Sequence, residues 1–319
     1  MQLKPTTRLA PSPTGALHLG NARTFIATWA MARQNDWRLA MRIDDLDGPR
    51  IKQGAAQQAL DDLQWLGLDW DDAPTLQSAN RHLHDVALEK LKSDGHVYPC
   101  FCSRAEVESA SSAPHASDGA SIYPGTCRNN AQVLSDTTHY DKPITSWRFR
   151  MPDMRLTFRD QFAGDRSFDL TQQLGDFVVA KGDGTPAYQL AVVVDDAHAG
   201  VTHVMRGDDL IDSVPRQIML YHALGLEAVL PNYIHLPLLI GPDGRRLAKR
   251  HGDTRLSFYR DNNVTPGRVR ALLARWLGID AGDNASAELI MNQFDLAKIP
   301  RTPVTFTPAD HAYLMNANA

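Results

Sequence analysis

The stretch Arg8–Arg23, RLAPSPTGALHLGNAR, places a turn rich in proline and glycine directly before a helical pattern. Phe25 and Trp29 follow at the i, i+4 spacing of one helix face. The prolines and Gly15 predict a tight passage from a strand into that helix, and Gly20 lets a ligand approach the backbone closely. A helix N-terminus presents N–H groups and a positive dipole end, so the stretch predicts a phosphate-binding turn.

Strand and helix patterns alternate through the first 98 residues. A short strand is predicted at Arg38–Ile43, and a helix follows at Ala55–Leu66, where apolar side chains recur at helical spacing. Another helix is predicted to open at Ser78, a suitable N-cap residue, and to close at Gly95. This alternation is typical of an α/β fold built on a parallel sheet.

The pattern changes after residue 98 and returns near residue 188. The polar, low-complexity stretch Glu108–Ser121 indicates a loop, and alternation through Trp147, Phe149 and Met151 indicates short strands. We therefore expect residues 99–187 to be an insertion between two halves of the α/β domain, 1–98 and 188–252, with a helical segment at 253–319. Later predicted elements are a buried strand Tyr188–Val194, a helix Ser213–Leu224, a strand Tyr233–Ile240, and a helix capped by Thr265 with Pro266 in its first turn.

The composition restricts the cellular compartment expected for this chain. The longest strongly apolar stretch, Leu190–Val194, is far too short to span a bilayer, so no membrane partner is expected. The N-terminus lacks the apolar core of an export signal. The three cysteines, at positions 100, 102 and 127, are odd in number, which favours a reduced compartment over a disulfide framework. These features predict a cytoplasmic globular protein.

The charge distribution is uneven although the net charge is only −4. The segment 245–275 carries nine basic residues, opposed by Asp253 and Asp261 alone. Such a local patch can bind phosphates without a basic isoelectric point, but it can equally be a solvated helix face.

Five ordered motifs together resemble the glutamyl subgroup of class I aminoacyl-tRNA synthetases, over roughly residues 6–280. The first is the subgroup's form of the "HIGH" signature, in which an arginine and PSPTG precede His-x-Gly-x-Ala-Arg. The last occupies the place of the "KMSKS" loop. In this chain the motifs are Arg8 with Pro11–Gly15 and His18–Arg23, Arg42–Asp47, the Tyr188 segment, Met205–Asp209, and Arg246–Arg250.

The resemblance implies a Rossmann-type sheet with ATP at the carboxyl ends of its strands. It also implies attack by a glutamate carboxylate on the α-phosphate of ATP, with Mg²⁺ on the nucleotide, followed by transfer to an RNA hydroxyl. Catalysis in this scheme is positioning and charge neutralisation. The implied roles are phosphate stabilisation for His18 and Lys249, ATP binding for these two with Gly20 and Asn21, and glutamate binding for Arg8, Ser12, Asp44, Tyr188 and Arg206.

Two departures from the subgroup pattern affect these roles. Asp44 stands where a glutamate is usual, one methylene longer. The KMSKS-like loop has Ala248 in place of its serine and Arg246 in place of its first lysine, although Lys249 is retained. The eroded loop leaves a non-catalytic paralogue as one alternative.

The cysteines form a candidate zinc site. Cys100 and Cys102 are too close in sequence to form an unstrained disulfide, and with Cys127 they supply three of the four ligands that zinc requires. His115 is one candidate for the fourth ligand, since imidazole is the commoner zinc ligand. Tyr123 is the other, because a short relative of glutamyl-tRNA synthetase has Cys-x-Cys followed by Tyr-x-x-x-Cys. The remaining alternative is reduced structural thiols.

The branches of the subgroup differ in how many residues follow the KMSKS-like loop. Full glutamyl-tRNA synthetases carry a large helical anticodon-binding region after this loop, whereas only residues 251–319 follow here, so no such domain is expected. With the cysteine pattern, this resembles a short branch that adds glutamate to the queuosine base of tRNA(Asp). The segment 245–275 would then meet RNA backbone. The other alternative is a truncated synthetase charging a tRNA 3′ end, and a monomer is expected.

Overall fold

The computed structural model of the chain describes residues 4–46, 48–110, 122–129, 143–245, 247 and 252–316. Several residues named above lie outside these ranges, namely Asp47, His115, Arg246, Ala248, Lys249 and Arg250. Within the described ranges, no helix combines the length and apolarity needed to cross a bilayer.

The chain forms two compact units, each discontinuous in sequence. The first comprises Met1–Leu76, Val201–Asp208 and Asn232–Ala319, and the second comprises Gln77–Gly200 and Asp209–Pro231. The strands are β1 Thr6–Leu9, β2 Arg38–Ile43, β3 Thr75–Leu76, β4 Val97–Cys100, β5 Ser146–Phe149, β6 Arg155–Asp160, β7 Gly164–Asp169, β8 Phe177–Lys181, β9 His203–Gly207, β10 Asn232–Leu236, β11 Leu239–Ile240 and β12 Val304–Thr305. The α-helices are α1 Leu19–Gln34, α2 Ala55–Trp65, α3 Arg81–Ser93, α4 Arg104–Ala110, α5 Tyr188–His198, α6 Ser213–Leu224, α7 Leu256–Asp261, α8 Pro266–Trp276, α9 Ala287–Gln293 and α10 Pro308–Met315.

Parallel strands organise the first unit. Strands β1, β2 and β3 pair in that order, and β9 pairs with β10. Thr202, just before β9, links the two sets, because its N–H donates to the Thr6 carbonyl at 2.8 Å and its hydroxyl accepts from the Thr6 N–H at 2.8 Å. Strands β1, β2 and β3 are parallel to one another, and β9 is parallel to β10. The carboxyl ends of parallel strands are where α/β folds place ligands. The α/β prediction is confirmed.

Helix α1 lies in the core of the first unit, with Leu19, Ile26 and Trp29 among its buried side chains. Arg23, read from sequence as part of a ligand-binding signature, is also buried. Its guanidinium donates to the carbonyls of Trp276 at 3.2 Å and Pro237 at 2.6 Å. Arg23 therefore ties α1 to the end of α8 and to the chain after β10.

The second unit is largely antiparallel in its sheets. Strands β4, β5 and β8 form one sheet and β6 and β7 form a hairpin, while α3, α5 and α6 belong to the same unit. The short strands predicted around residues 147–158 are confirmed.

The predicted strand Tyr188–Val194 is wrong, because this stretch begins helix α5. Its buried residues include the run Leu190–Asp196, so the segment is apolar on more than one side. A short run of that kind has the same pattern in a buried strand and in a buried helix. Here Ala187, in extended conformation, precedes a helix that extends to His198.

Four other predicted elements can be compared with the structure. Residues Gln77–Asn80 form a 3₁₀ turn, so α3 begins at Arg81 rather than at Ser78. Pro237 interrupts the predicted strand Tyr233–Ile240, since proline has no N–H for the ladder. The predicted helix Ser213–Leu224 is confirmed, as are the Thr265 cap and Pro266 in the first turn of α8.

Some of the arginines in the segment 245–275 make contacts within the first unit. Arg260 contacts Asp62 at 2.8 Å, Arg268 donates to the Tyr313 carbonyl at 2.6 Å, and Arg270 donates to the Leu66 carbonyl at 3.0 Å. These arginines join α2, α7, α8 and α10. The patch is thus partly structural, and RNA contact by it stays a prediction.

Asp62 should make the stability of the first unit depend on pH. Burial raises the pKa of Asp62 from 3.8 to about 6, although the nearby Arg260 opposes the shift. The folded state therefore holds this proton more tightly than the unfolded state, and stability falls as pH rises from about 4 to about 6. Asp62→Asn should raise the free energy of unfolding by about 1–3 kcal/mol at pH 7.5, and by much less at pH 4.5.

Urea unfolding at the two pH values measures this difference. Asp61→Asn is the matched control, because Asp61 is an exposed neighbour on the same helix. A loss of stability on Asp62→Asn that is larger at pH 7.5 would contradict the prediction, since the Arg260 ion pair would then outweigh desolvation.

Candidate active site

Charged side chains gather on neighbouring strands near the carboxyl edge of the first unit's parallel strands. Arg8 lies on β1, Arg42 on β2 and Arg206 on β9, and these three are 7%, 5% and 6% exposed. Asp44 follows β2 directly. Arg8 and Asp44 therefore lie on or directly after the paired strands β1 and β2, and Arg206 lies on β9, which follows Thr202 and its bonds to Thr6. That these residues form one substrate site stays a prediction.

The acid at this edge is held by an arginine and by the proline-rich turn. The Arg42 Nε donates to Asp44 Oδ1 at 2.7 Å. The Asp44 N–H donates to the Pro11 carbonyl at 3.0 Å, and the Lys52 N–H donates to the Pro13 carbonyl at 3.0 Å. The PSPTG turn is thus anchored by backbone bonds on both prolines, while Ser12 between them is exposed.

Arg206 has a partner that the sequence reasoning missed. Its Nε donates to Nε2 of His235 at 3.0 Å, and both side chains are buried. The two residues are direct register partners on β9 and β10. No local pattern marks His235, because the contact depends on pairing two strands distant in sequence.

The phosphate-binding turn predicted at the start of α1 is built around His18. His18 is the N-cap, its Nδ1 accepts from the Gly20 N–H at 3.1 Å, and its own N–H donates to Asn21 Oδ1 at 3.3 Å. Since Nδ1 accepts, the neutral imidazole carries its proton on Nε2. That N–H is the group by which His18 can donate to an anion.

The flanks of the KMSKS-like loop are attached to this same turn and to β11. On one side the Leu247 N–H donates to the Leu239 carbonyl at 3.2 Å. On the other, the Leu19 N–H donates to the Thr254 carbonyl at 3.0 Å and the Leu256 N–H donates to the Leu17 carbonyl at 2.9 Å. Thr254 and Leu256, which follow this loop in the sequence, therefore lie beside the N-terminus of α1.

The second unit holds the remaining predicted residues. Tyr188 is the first residue of α5 and is 43% exposed. The three cysteines lie together, with their sulfur atoms within 4.8 Å of one another. The Tyr123 hydroxyl lies 3.5 Å from the Cys100 sulfur and 3.6 Å from that of Cys102.

This cluster has donor atoms suited to a metal ion. Four ligands at tetrahedral zinc, with Zn–S near 2.3 Å, place sulfur atoms about 3.8 Å apart. The Cys102 and Cys127 sulfur atoms are 3.6 Å apart, and the Tyr123 hydroxyl also accepts from the Cys127 N–H at 2.9 Å. Three thiols and one phenol oxygen thus fit a site for one ion.

Asp176 anchors the segment 122–129 that carries Tyr123 and Cys127. It accepts from Arg128, from the Tyr98 hydroxyl at 2.7 Å, and from the Met151 N–H at 2.8 Å. Burial and the hydrogen bond to Asp176 raise the pKa of the Tyr98 hydroxyl. The hydroxyl therefore remains a donor at neutral pH. Sequence reasoning missed Asp176, which no metal-ligand spacing identifies.

The family model for the catalytic domain of class I tRNA synthetases (E and Q) matches residues 4–301. The chain belongs to this family.

Relatives within the family differ in the length that the chain covers. A glutamyl-Q tRNA(Asp) synthetase of Symbiobacterium thermophilum is 46% identical over 98% of this chain and 99% of its own length. One from Rhodopirellula baltica is 45% identical over 93% and 94%. A glutamate–tRNA ligase of Citrifermentans bemidjiense is 39% identical over 98% of this chain but only 65% of its own length.

A solved structure gives the same assignment. The glutamate tRNA ligase of Elizabethkingia meningosepticum, crystallised in complex with its amino acid, superposes with a TM-score of 0.82 at 27% identity. The match covers 98% of this chain and 69% of that protein. The fold is therefore that of a class I synthetase catalytic domain of the glutamate type.

Proposed function

We propose that this protein activates L-glutamate with ATP and transfers the glutamyl group to the queuosine base in the anticodon of tRNA(Asp). The observation that carries the proposal is the share of each relative's own length that aligns with this chain. Relatives named for this reaction align over 99% and 94% of their own lengths, whereas the similar glutamate–tRNA ligase aligns over 65%. Transfer to a tRNA 3′ end by a shortened ligase is the competing reaction.

In the first step a glutamate carboxylate oxygen attacks the α-phosphorus, the bond to the β-phosphate breaks, and pyrophosphate leaves with the electron pair. In our proposal the Nε2–H of His18 donates to phosphate oxygens as charge moves onto them. Gly20 and Asn21 form the rest of the turn, and Lys249 is assigned the same stabilisation of phosphate charge. Mg²⁺ accompanies the nucleotide. The contribution of these groups is positioning and charge stabilisation.

Glutamate recognition requires cations for two carboxylates and an anion for the ammonium group. We assign the carboxylates to Arg8 and Arg206, whose forked guanidinium groups suit bidentate pairing. The ammonium group is assigned to Asp44. Arg42 donates to both oxygens of Asp44, to Oδ1 at 2.7 Å and to Oδ2 at 3.4 Å, and so limits how this shorter acid can move. Tyr188 and Ser12 complete the proposed set.

In the second step an RNA hydroxyl attacks the activated glutamyl carbon and AMP leaves. The proposal places this hydroxyl on the queuosine base. The chain acts in the cytoplasm as a monomer in this proposal, in keeping with its free thiols.

A structural zinc ion is proposed at Cys100, Cys102, Tyr123 and Cys127. The contacts of the Tyr123 hydroxyl with two of the thiols favour tyrosine over His115 as the fourth ligand. When bound, the ion would join β4 to the segment 122–129 and supply folding energy there.

Transfer of labelled glutamate tests the proposed acceptor. We expect label on tRNA(Asp) that contains queuosine, and none on tRNA(Asp) lacking it or on tRNA(Glu). Label on tRNA(Glu) would instead establish 3′-end charging. Glutamate-dependent ATP–pyrophosphate exchange without RNA tests the first step, and its absence alongside tight tRNA binding would support a non-catalytic paralogue.

Gly20→Ala should damage catalysis without damaging the fold. A Cβ at position 20 would lie 2.9 Å from Cε1 and 3.0 Å from Nδ1 of His18, so the imidazole must move. Alanine favours a helix over glycine by about 1 kcal/mol, which protects stability. A displacement near 1 Å at a catalytic group costs about 100-fold, so we expect kcat of pyrophosphate exchange to fall about that much.

Gly15→Ala is the matched control, because a Cβ there meets nothing within 4 Å. If Gly20→Ala retains the exchange rate of Gly15→Ala, the position of the His18 ring does not matter for the first step.

A further inference from the structure

Arg206 and His235 form a buried pair across two parallel strands. They stand opposite each other in the register of β9 and β10. The Arg206 Nε lies 3.0 Å from His235 Nε2, and His235 is only 1% exposed. A guanidinium can only donate, so the imidazole must accept through Nε2 and carry its proton on Nδ1. The contact therefore requires His235 to be neutral.

We propose that His235 is a positioning residue that holds Arg206 in the orientation that binds glutamate. This inference rests on the proposed function, in which Arg206 pairs with a substrate carboxylate. With Nε bound to His235, a carboxylate meets the two terminal nitrogens of the guanidinium rather than its side, so the contact selects one binding geometry.

An imidazole acceptor suits this task because it adds no negative charge. At Arg42 the partner is the carboxylate of Asp44 at 2.7 Å, which offsets the charge of that arginine. The His235 contact orients Arg206 and itself adds no charge. The Tyr233 ring, 5.5 Å from the guanidinium carbon of Arg206 and 6.2 Å from the His235 ring, borders the pair on β10.

Glutamate and ATP affinities of purified variants, measured by calorimetry, test the inference. His235→Phe keeps an aromatic ring but removes the acceptor, and it should weaken glutamate binding by about 10- to 100-fold while ATP affinity changes by about twofold or less. His235→Gln supplies an amide oxygen as acceptor and should recover part of the loss. His203→Phe is the control, since His203 lies on β9 and stacks on Trp37 at 4.0 Å.

The outcomes separate the two proposals. Wild-type protein that binds ATP but not glutamate would overturn the proposed function and the role of His235 with it. Wild-type protein that binds glutamate, with His235→Phe equally tight, would overturn only the role of His235. Equal loss of glutamate and ATP affinity, with a lower urea midpoint and no recovery in His235→Gln, would show general destabilisation and would also overturn it.

Discussion

Lys249→Ala is expected to lower kcat of glutamate-dependent pyrophosphate exchange by about 100- to 1,000-fold, with little change in KM for glutamate. The lysine acts on charge that develops in the transition state, so its loss affects turnover more than ground-state binding. Leu247 on one side of the loop bonds to β11, and Thr254 on the other side bonds to Leu19 at the start of α1. These attachments place the described residues on either side of position 249 beside β11 and the start of α1.

Lys298→Ala is a suitable control for the loss of a positive charge, because Lys298 is an exposed lysine of the same unit. A Lys249→Ala enzyme with unchanged kcat would remove this lysine from the first step. A rise in KM for glutamate at constant kcat would instead assign it to substrate binding.

Cys127→Ser is expected to abolish binding of the proposed zinc ion and to lower the melting temperature. A serine hydroxyl is a much weaker zinc ligand than a thiolate, so zinc affinity should fall by about 100-fold or more. The segment 122–129 would then depend on its protein contacts alone, chiefly those of Asp176. Elemental analysis of the purified chain and competition with a chelator measure the effect.

Thr126→Ser is the matched control, because residue 126 is the exposed neighbour of Cys127. Tyr123→Phe separates the two candidates for the fourth ligand, since it should weaken zinc binding only if the phenol oxygen is a ligand. Equal zinc content in Cys127→Ser and the wild type would show that the thiols are structural.

The prediction of the α/β fold succeeded where local chemistry dictates conformation. The PSPTG turn, the strand Arg38–Ile43 and the Thr265–Pro266 helix start all depend on neighbours in sequence. The same reasoning was wrong for Tyr188–Val194, because a run buried on several sides has no periodicity that separates helix from strand. The predicted domain bounds and site roles stay predictions.

The sequence by itself determined the family of this protein, because five ordered motifs at compatible separations are far more specific than any one of them. It also placed the three cysteines in one candidate metal site, with Tyr123 or His115 as the fourth ligand. Only the tertiary structure decided which residues hold the predicted site residues in position. Arg206 meets His235, Asp176 meets the segment 122–129, and Arg23 meets the end of α8. These pairs are distant along the chain, so no local pattern links them, and burial within the fold decides which partner each polar group finds.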